Sequence, residues 1–409
     1  MKENLIKNRI AIIGGGAAGM TAGIFAKKTA PDISVTIFEE KDSLGKKINA
    51  TGNGKCNFSN TLMSDNCYRS ENPTFVSPIL KKFDVESTIR FFNEIGISVK
   101  NKNGYLYPNS EEASSVSNAL ILTLKAFGVN LIHEKAINIK KENNVFKIKT
   151  PENTYTFDKV IISCGSYASK KNPNEFNGYD IVKSLGHKVT SLFPSLCQIR
   201  CSDKFFKTIN GVRTEGIIKI FDAKKEIARD KGELLFTDYG ISGIPAFQVS
   251  RYCVPKSTDL SAEIDFLPET NVDKVKEILL KRRDLKSRTA EEAMYGLLNH
   301  KLNFVLLNCS GISPTEDVKK AFTDDNIKRL SENIKYFKCH VTGTNGTEFA
   351  QVIAGGADTR FIDNETLESK IIPGLYFAGE IMDVDGICGG YNLQWAWSTG
   401  YVAGTSAAR

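Results

Sequence analysis

The chain has 409 residues, 41% hydrophobic and 25% charged, which gives room for two or three domains of roughly 150 residues and excludes a miniprotein or a fibrous repeat. Lys and Arg total 54 against 47 Asp and Glu, and the net charge of +7 is too small an excess for a nucleic-acid-binding composition. Nine cysteines, an odd number with no Cys-x-x-Cys, read as reduced thiols in a cytoplasmic protein, with neither a disulfide framework nor a metal site.

No run approaches the ~18 apolar residues of a membrane span. Lys2, Lys7 and Arg9 before Ile10–Gly19 imitate the basic flank of a secretion signal, but three consecutive glycines break the apolar stretch and keep the expectation cytoplasmic.

Ile10 to Ile13 is a short strand pattern, followed by Gly14-Gly15-Gly16-Ala17-Ala18-Gly19, a helical run from Met20 to Lys28, a second strand at Val35–Phe38, and then Glu39 with Glu40 beside it. This is the dinucleotide fingerprint in its full context. The glycines allow a tight turn, close approach of backbone to a pyrophosphate and close helix packing, while the helix N-terminus supplies N–H groups for the phosphates. Glu39 stands 20 residues after Gly19, where a carboxylate accepts hydrogen bonds from an adenosine ribose.

The next block contains Lys46-Lys47 and Thr51-Gly52-Asn53-Gly54-Lys55-Cys56-Asn57. It is too rich in glycine, asparagine and lysine for a core element, and it suits a backbone surface touching a phosphate or a flat ring. Leu131 to Ile139 is expected as one strand, with Ala136 meeting the adenine edge. Val160 to Gly165 is an apolar strand ending in glycine that returns the chain to the sheet.

After His187 the pattern changes to short β runs at 198–201, 217–221, 234–236 and 260–266, the last with clean alternation, repeated at Phe337, Cys339 and Val341. Between them, 271 to about 334 is helical, with capping signals at Thr289-x-x-Glu292 and Ser313-Pro314. The expected boundaries are 1–190 and 346–409 for the cofactor domain, 191–270 and 336–345 for a β-rich substrate domain, and 271–335 for a helical subdomain. The two inserts are expected to close over the cofactor.

Several blocks resemble the BaiN/YhiN-like flavoproteins, a group that includes aminoacetone oxidases. They are Glu39–Lys47, Thr51–Asn57, Gly104–Pro108, Gly232–Thr237 with Gly240–Gly243, Gly355–Asp358, and above all Gly374–Glu380 with Asp383–Gly386 and Gly389–Trp397. The resemblance runs over nearly the whole chain, with 245–335 lacking matching motifs. It departs at Asp238, where the family usually carries His, and at Cys164-Gly165-Ser166, where a Gly-Gly pair is usual.

The resemblance implies an α/β fold, a Rossmann-type FAD-binding domain of the two-dinucleotide-binding type, interrupted by a β-barrel-like insert carrying a small helical subdomain. It implies that Glu380, after Ala378-Gly379, binds a ribityl hydroxyl, and that Gly389, Gly390, Tyr391, Asn392 and Leu393 present a helix N-terminus to the flavin. Tyr391 then lies beside the ring, either donating a proton or packing, and Asp238 orients a polar substrate. The cofactor is FAD; with no second glycine fingerprint after a strand, NADH or NADPH is a transient visitor.

The reaction implied is hydride transfer, in one of two versions: reduction of an activated C=C in an enone or steroid-like small molecule, or oxidation of an amine such as aminoacetone by O2. Two further classes stay open: a flavoprotein that modifies tRNA or binds RNA through the basic face from Lys281 to Arg288, and a non-catalytic flavin sensor. The oligomeric state is left open.

Overall fold

The computed structural model describes residues 9–169, 172, 175–254 and 259–409; Lys2 and Lys7 of the basic flank lie outside them. The chain forms two compact units, Met1–Phe193 with Val352–Arg409, and Pro194–Gln351. No helix among the described residues is long and apolar enough to cross a membrane.

The first unit is built on a parallel sheet. β1 (Arg9–Ile13) pairs on one side with β2 (Ser34–Phe38) and on the other with the strand Lys159–Ile162. Asn130–Ile132 lies outside β2, and Leu375–Phe377 lies outside Lys159–Ile162. The central strands carry unbroken apolar runs because both faces are covered, and Ile10, Ile12, Val160 and Ile161 are fully buried.

One cover is α1 (Ala17–Thr29), and against it packs the helix Tyr391–Ala408. A Cβ at Gly400 would fall 2.5 Å from the Ala18 carbonyl oxygen, and one at Gly404 would fall 2.3 Å from that of Ala22. The two helices therefore meet backbone to backbone. The start and the end of the Rossmann unit are joined by glycines that no nucleotide motif requires.

Expected strand 131–139 is in fact two elements. Asn130–Ile132 stays in the parallel sheet, whereas Asn138–Glu142 pairs with Val145–Lys149 in a separate antiparallel sheet completed by Thr154–Phe157. The break has a physical cause at Glu134, whose carboxylate accepts from Asn153 Nδ2 at 3.1 Å and from the Tyr155 hydroxyl at 2.9 Å, drawing the chain toward the second sheet.

In the second unit, six strands among the described residues close an antiparallel barrel: Ile199–Cys201, Gly240–Ser242, Lys225–Thr237, Arg213–Asp222, Leu260–Asp265 and Phe337–Thr344, in that order around it. Leu260, Ala262 and Ile264 face inward, as do Phe337, Cys339 and Val341 on the neighbouring strand, so period-two alternation is borne out as burial. The hairpin Arg213–Asp222/Lys225–Thr237 is much longer than its apolar runs, since its polar residues alternate outward along paired strands.

Between the last two barrel strands come the helices Val272–Arg283, Ala290–Ala293, His300–Cys309, Val318–Ala321 and Asp324–Lys335. Val275, Leu279, Leu306 and Leu330 join them to the barrel in one apolar core, at about 1.5–3 kcal/mol for each large aliphatic side chain buried.

Candidate cofactor site

The glycine loop turns directly at the end of β1. Gly14 has φ +106, and a Cβ there would fall 2.6 Å from Cys164 Cα, so only glycine fits; its N–H donates to the Phe38 carbonyl at 2.8 Å. Gly16 is the N-cap of α1, extended and with no side-chain cap. A Cβ built on it meets nothing within 4 Å. Protein packing therefore does not require this glycine. Its bareness leaves the first N–H groups of a 13-residue helix, and their partial positive charge, open to an anion.

Glu39 follows β2 and ties the loop down. One carboxylate oxygen accepts from the Gly15 N–H at 2.8 Å and the other from the Lys41 N–H at 3.0 Å. Each oxygen keeps a lone pair for a further donor. Glu40 pairs with Lys135 at 3.5 Å. Gly14, Glu39, Glu40, Lys135, Ala136 and Cys164 line one cleft at the carboxyl ends of the parallel strands, the usual ligand position in such sheets.

The second segment meets the first at the start of α1. A Cβ on Gly379 would fall 2.9 Å from the Cβ of Ala18, and its N–H donates to Thr399 Oγ1 at 2.9 Å. The Glu380 carboxylate receives Lys47 Nζ at 2.5 Å and the Ser166 hydroxyl at 3.2 Å. Residues 333 apart in sequence thus form one polar cluster, with Gly165 next to Ser166. Ser166 was not singled out by its chemistry; its signal was the departure from a Gly-Gly pair. Tyr179 was also missed, and its buried hydroxyl has no hydrogen-bond partner among the described residues; burial and the nearby Glu380 push its pKa up.

The loop Thr51–Asn57 is curled, with Gly52, Asn53, Gly54 and Cys56 all in the left-handed region and Gly52–Lys55 exposed. Thr51 Oγ1 donates to the Ile48 carbonyl at 2.6 Å, and Asn57 Nδ2 donates to the carbonyls of Ser59 and Leu106 at 3.1 and 3.0 Å. Burial pushes the Cys56 thiol up to about 12, so it stays protonated at neutral pH and fills space. Lys46 pairs with Asp42, and Lys55 lies 3.4 Å from Glu111.

The last helix begins on Gly390 at φ +93, where a Cβ would fall 2.5 Å from the Ser59 carbonyl oxygen. It too has no side-chain cap, so the N-terminus at Tyr391, Asn392 and Leu393 is open, beside Gly389. The Asn392 side chain is occupied: Oδ1 accepts from the Gly386 N–H at 2.8 Å and Nδ2 donates to its carbonyl at 2.9 Å. The Tyr391 hydroxyl donates to the Leu62 carbonyl at 2.8 Å, and burial raises its pKa far above the ordinary tyrosine range. Asp238 belongs to the second unit, exposed in the turn between Lys225–Thr237 and Gly240–Ser242.

A bare helix start at Gly16, a carboxylate after β2, a second carboxylate at Glu380, a tyrosine hydroxyl without a partner among the described residues and a second bare helix start at Gly390 fit a long dinucleotide with a flat ring at one end. A family profile described as "HI0933-like protein Rossmann domain" matches residues 8–406. The chain belongs to this family. As an HI0933-like protein it is an enzyme of the flavoprotein oxidoreductase class. It is 38% identical over 411 residues to a Clostridium scindens protein named 3-dehydro-bile acid delta(4,6)-reductase, covering 98% of this chain and 99% of that one. It is 30% identical over 406 residues to a Haemophilus influenzae ribosomal RNA dihydrouridine synthase, covering 97% and 98%. A solved structure of a 3-ketosteroid-delta4-(5alpha)-dehydrogenase from Rhodococcus jostii aligns at 11% identity and TM-score 0.49, covering 100% of this chain and 98% of that one.

Proposed function

We propose that this HI0933-like protein binds FAD and reduces a carbonyl-conjugated C=C bond in a small steroid-like substrate, with NADH or NADPH as the visiting electron donor. The observation that carries the reading is the placement of two bare helix starts and two carboxylates in one unit, with Gly379 seated on Ala18 at the start of α1. The name of the 38% identical relative supports the substrate class, since a 3-dehydro, delta(4,6) compound places C=C bonds in conjugation with a ketone.

When bound, FAD supplies the two-electron redox chemistry. The N–H groups of Ala17, Ala18 and Gly19 would hold the diphosphate, and Glu39 could accept from the ribose without leaving the loop it supports. Glu380, oriented by Lys47 and Ser166, would accept from a ribityl hydroxyl. The helix starting at Tyr391 would present its positive end to the ring and stabilise negative charge there. Tyr391 packs, its proton committed to Leu62.

The relative named as an rRNA dihydrouridine synthase favours a second substrate, a uracil ring in RNA, whose C=C is likewise conjugated to a carbonyl. The basic face from Lys281 to Arg288 lends this little support: Arg283 pairs with Asp324 at 2.7 Å, and Arg282 donates to the Tyr295 carbonyl at 2.9 Å.

The test is the purified protein under anaerobic conditions. A yellow flavin spectrum that NADPH bleaches and an enone steroid restores is expected. Restoration by uridine-containing RNA in place of the steroid selects the second substrate. Failure of NADPH to bleach it, with peroxide released from aminoacetone in air, selects an oxidase. A colourless protein that refuses FAD overturns the reading.

A further inference from the structure

Three lysines from two separate segments converge on one carboxylate. Glu111 lies 3.4 Å from Lys55 Nζ, 2.8 Å from Lys100 Nζ and 2.6 Å from Lys102 Nζ. Lys100 and Lys102 share one face of the strand Val99–Lys102, and Lys55 comes from the exposed turn of the Thr51–Asn57 loop. Three ammonium groups around one carboxylate leave two positive charges in excess. The lysine side chains are 54%, 41% and 42% exposed, so the cluster stays open to solvent.

Its position gives it meaning. The paired strand Tyr105–Pro108 runs from this cluster to both halves of the ring end of the site: Tyr107 comes within 3.9 Å of a Cβ built on Gly52, and Tyr105 within 3.0 Å of one built on Gly389. Lys102 Nζ sits 5.7 Å from the centre of the Tyr107 ring. A positive patch thus adjoins an aromatic wall beside the Thr51–Asn57 loop and the helix start proposed above to face the flavin ring. Glu111 itself is held at φ +54, and its carboxyl is pulled down to about 2 by Lys100 and Lys102, so it is a fixed anion that spaces the three cations.

We propose that Lys55, Lys100 and Lys102, spaced by Glu111, form an oxyanion subsite that takes the carboxylate or phosphate of the small molecule exchanging hydride with the flavin. The proposal rests on the FAD reading and deepens it. Tyr105 and Tyr107 border the flat part of that molecule, and the lysines hold its charged end, as attraction between half-exposed charges at this range is strong enough to orient and weak enough to release.

The experiment uses the flavin-loaded protein with NADPH as donor and compares a 3-oxo-Δ4 steroid carboxylate with its methyl ester, in wild type and in Lys100→Gln/Lys102→Gln. If the anion is the substrate's, the KM for the acid rises roughly tenfold, the loss of about 1.4 kcal/mol, and the preference for acid over ester collapses. If it is the donor's phosphate, the KM for NADPH rises by that factor and the acid-to-ester ratio stays. Glu111→Gln removes the competing carboxylate and lowers the KM that the lysine variant raises, an effect that weakens as salt shortens the Debye length from about 8 Å. Should neither KM move beyond twofold in either variant, with flavin content intact, the subsite is overturned. Calorimetric binding of acid and ester to the same protein decides it separately from turnover, so a preparation without flavin overturns the FAD reading and still reports on the lysines.

Discussion

The five helices inserted between the last two barrel strands and the two helices proposed to face the cofactor begin in opposite ways. In the second unit, the helices starting at Val272, Ala290, His300, Val318 and Asp324 are each capped by a side chain, Asn271, Thr289, Asn299, Asp317 and Thr323, that accepts from a backbone N–H. In the first unit, α1 and the helix Tyr391–Ala408 begin on glycines with no side-chain cap. Side-chain capping is worth about 1 kcal/mol over alanine and tenths over glycine, so its omission is cheap, and it leaves N–H groups free. Elsewhere in the first unit Asp84 and Asn177 cap their helices, whereas Lys46–Asn49, Val76–Lys82 and Ala113–Ala126 also begin without a side-chain cap, so a bare start marks a docking place only where a glycine loop and a carboxylate accompany it.

The sharpest way to break this contrast is to separate the two bare helices. Gly404→Val sets a branched side chain where even a Cβ falls 2.3 Å from the Ala22 carbonyl oxygen. It is expected to cost about 3 kcal/mol in urea unfolding and to abolish flavin retention. Unchanged stability would mean that the helices do not touch there.

Gly16→Asp is gentler on the fold and harsher on the ligand. The backbone at Gly16 is ordinary extended structure, and a side chain has open space, so a capping carboxylate should raise the stability of the flavin-free protein by about 0.3 kcal/mol. The same negative charge occupies the phosphate cradle, and flavin content should fall at least about tenfold. Full flavin content by absorbance would place the diphosphate elsewhere.

Thr289→Ala provides the opposite case. It removes a capping box, in which Glu292 N–H donates to Thr289 Oγ1 at 3.2 Å, and should cost about 1 kcal/mol with flavin content intact. Loss of flavin in this variant would show that caps in the second unit matter to the cofactor too.

The smallest effect is a pH dependence. Glu111 has its carboxyl pulled from an ordinary 4.5 to about 2 by its lysines, so its stabilising contribution is present above 4.5 and fades as pH falls toward 2. The stability difference between wild type and Glu111→Gln should therefore shrink between pH 5 and about 2, as followed by chemical denaturation. A constant difference across that range would mean that the lysines do not hold the carboxylate.

The parts of the site visible in the amino-acid order were those imposed locally by backbone. Gly14 must be glycine because of its φ and its neighbour Cys164, and Gly390 because of Ser59. Both stand inside recognisable patterns, with Glu39 following the first at fixed spacing and Glu380 standing ahead of the second. The barrel strands Leu260–Asp265 and Phe337–Thr344 were equally legible, since alternation is a direct record of which face is buried. What stayed hidden depends on partners far along the chain. Nothing near Glu134 announces the pull of Asn153 and Tyr155, and nothing near Gly400 and Gly404 announces α1. Lys100 and Lys102 read as an ordinary solvated strand face until Lys55 and Glu111 are folded beside them.

The backbone contact between α1 and the helix Tyr391–Ala408 bears on biogenesis. During synthesis the glycine fingerprint emerges from the ribosome long before the helix that braces it, which is made hundreds of residues later. A nascent chain must therefore wait with its nucleotide loop unsupported until Tyr391–Ala408 has been made, and loading of the proposed cofactor would follow that step.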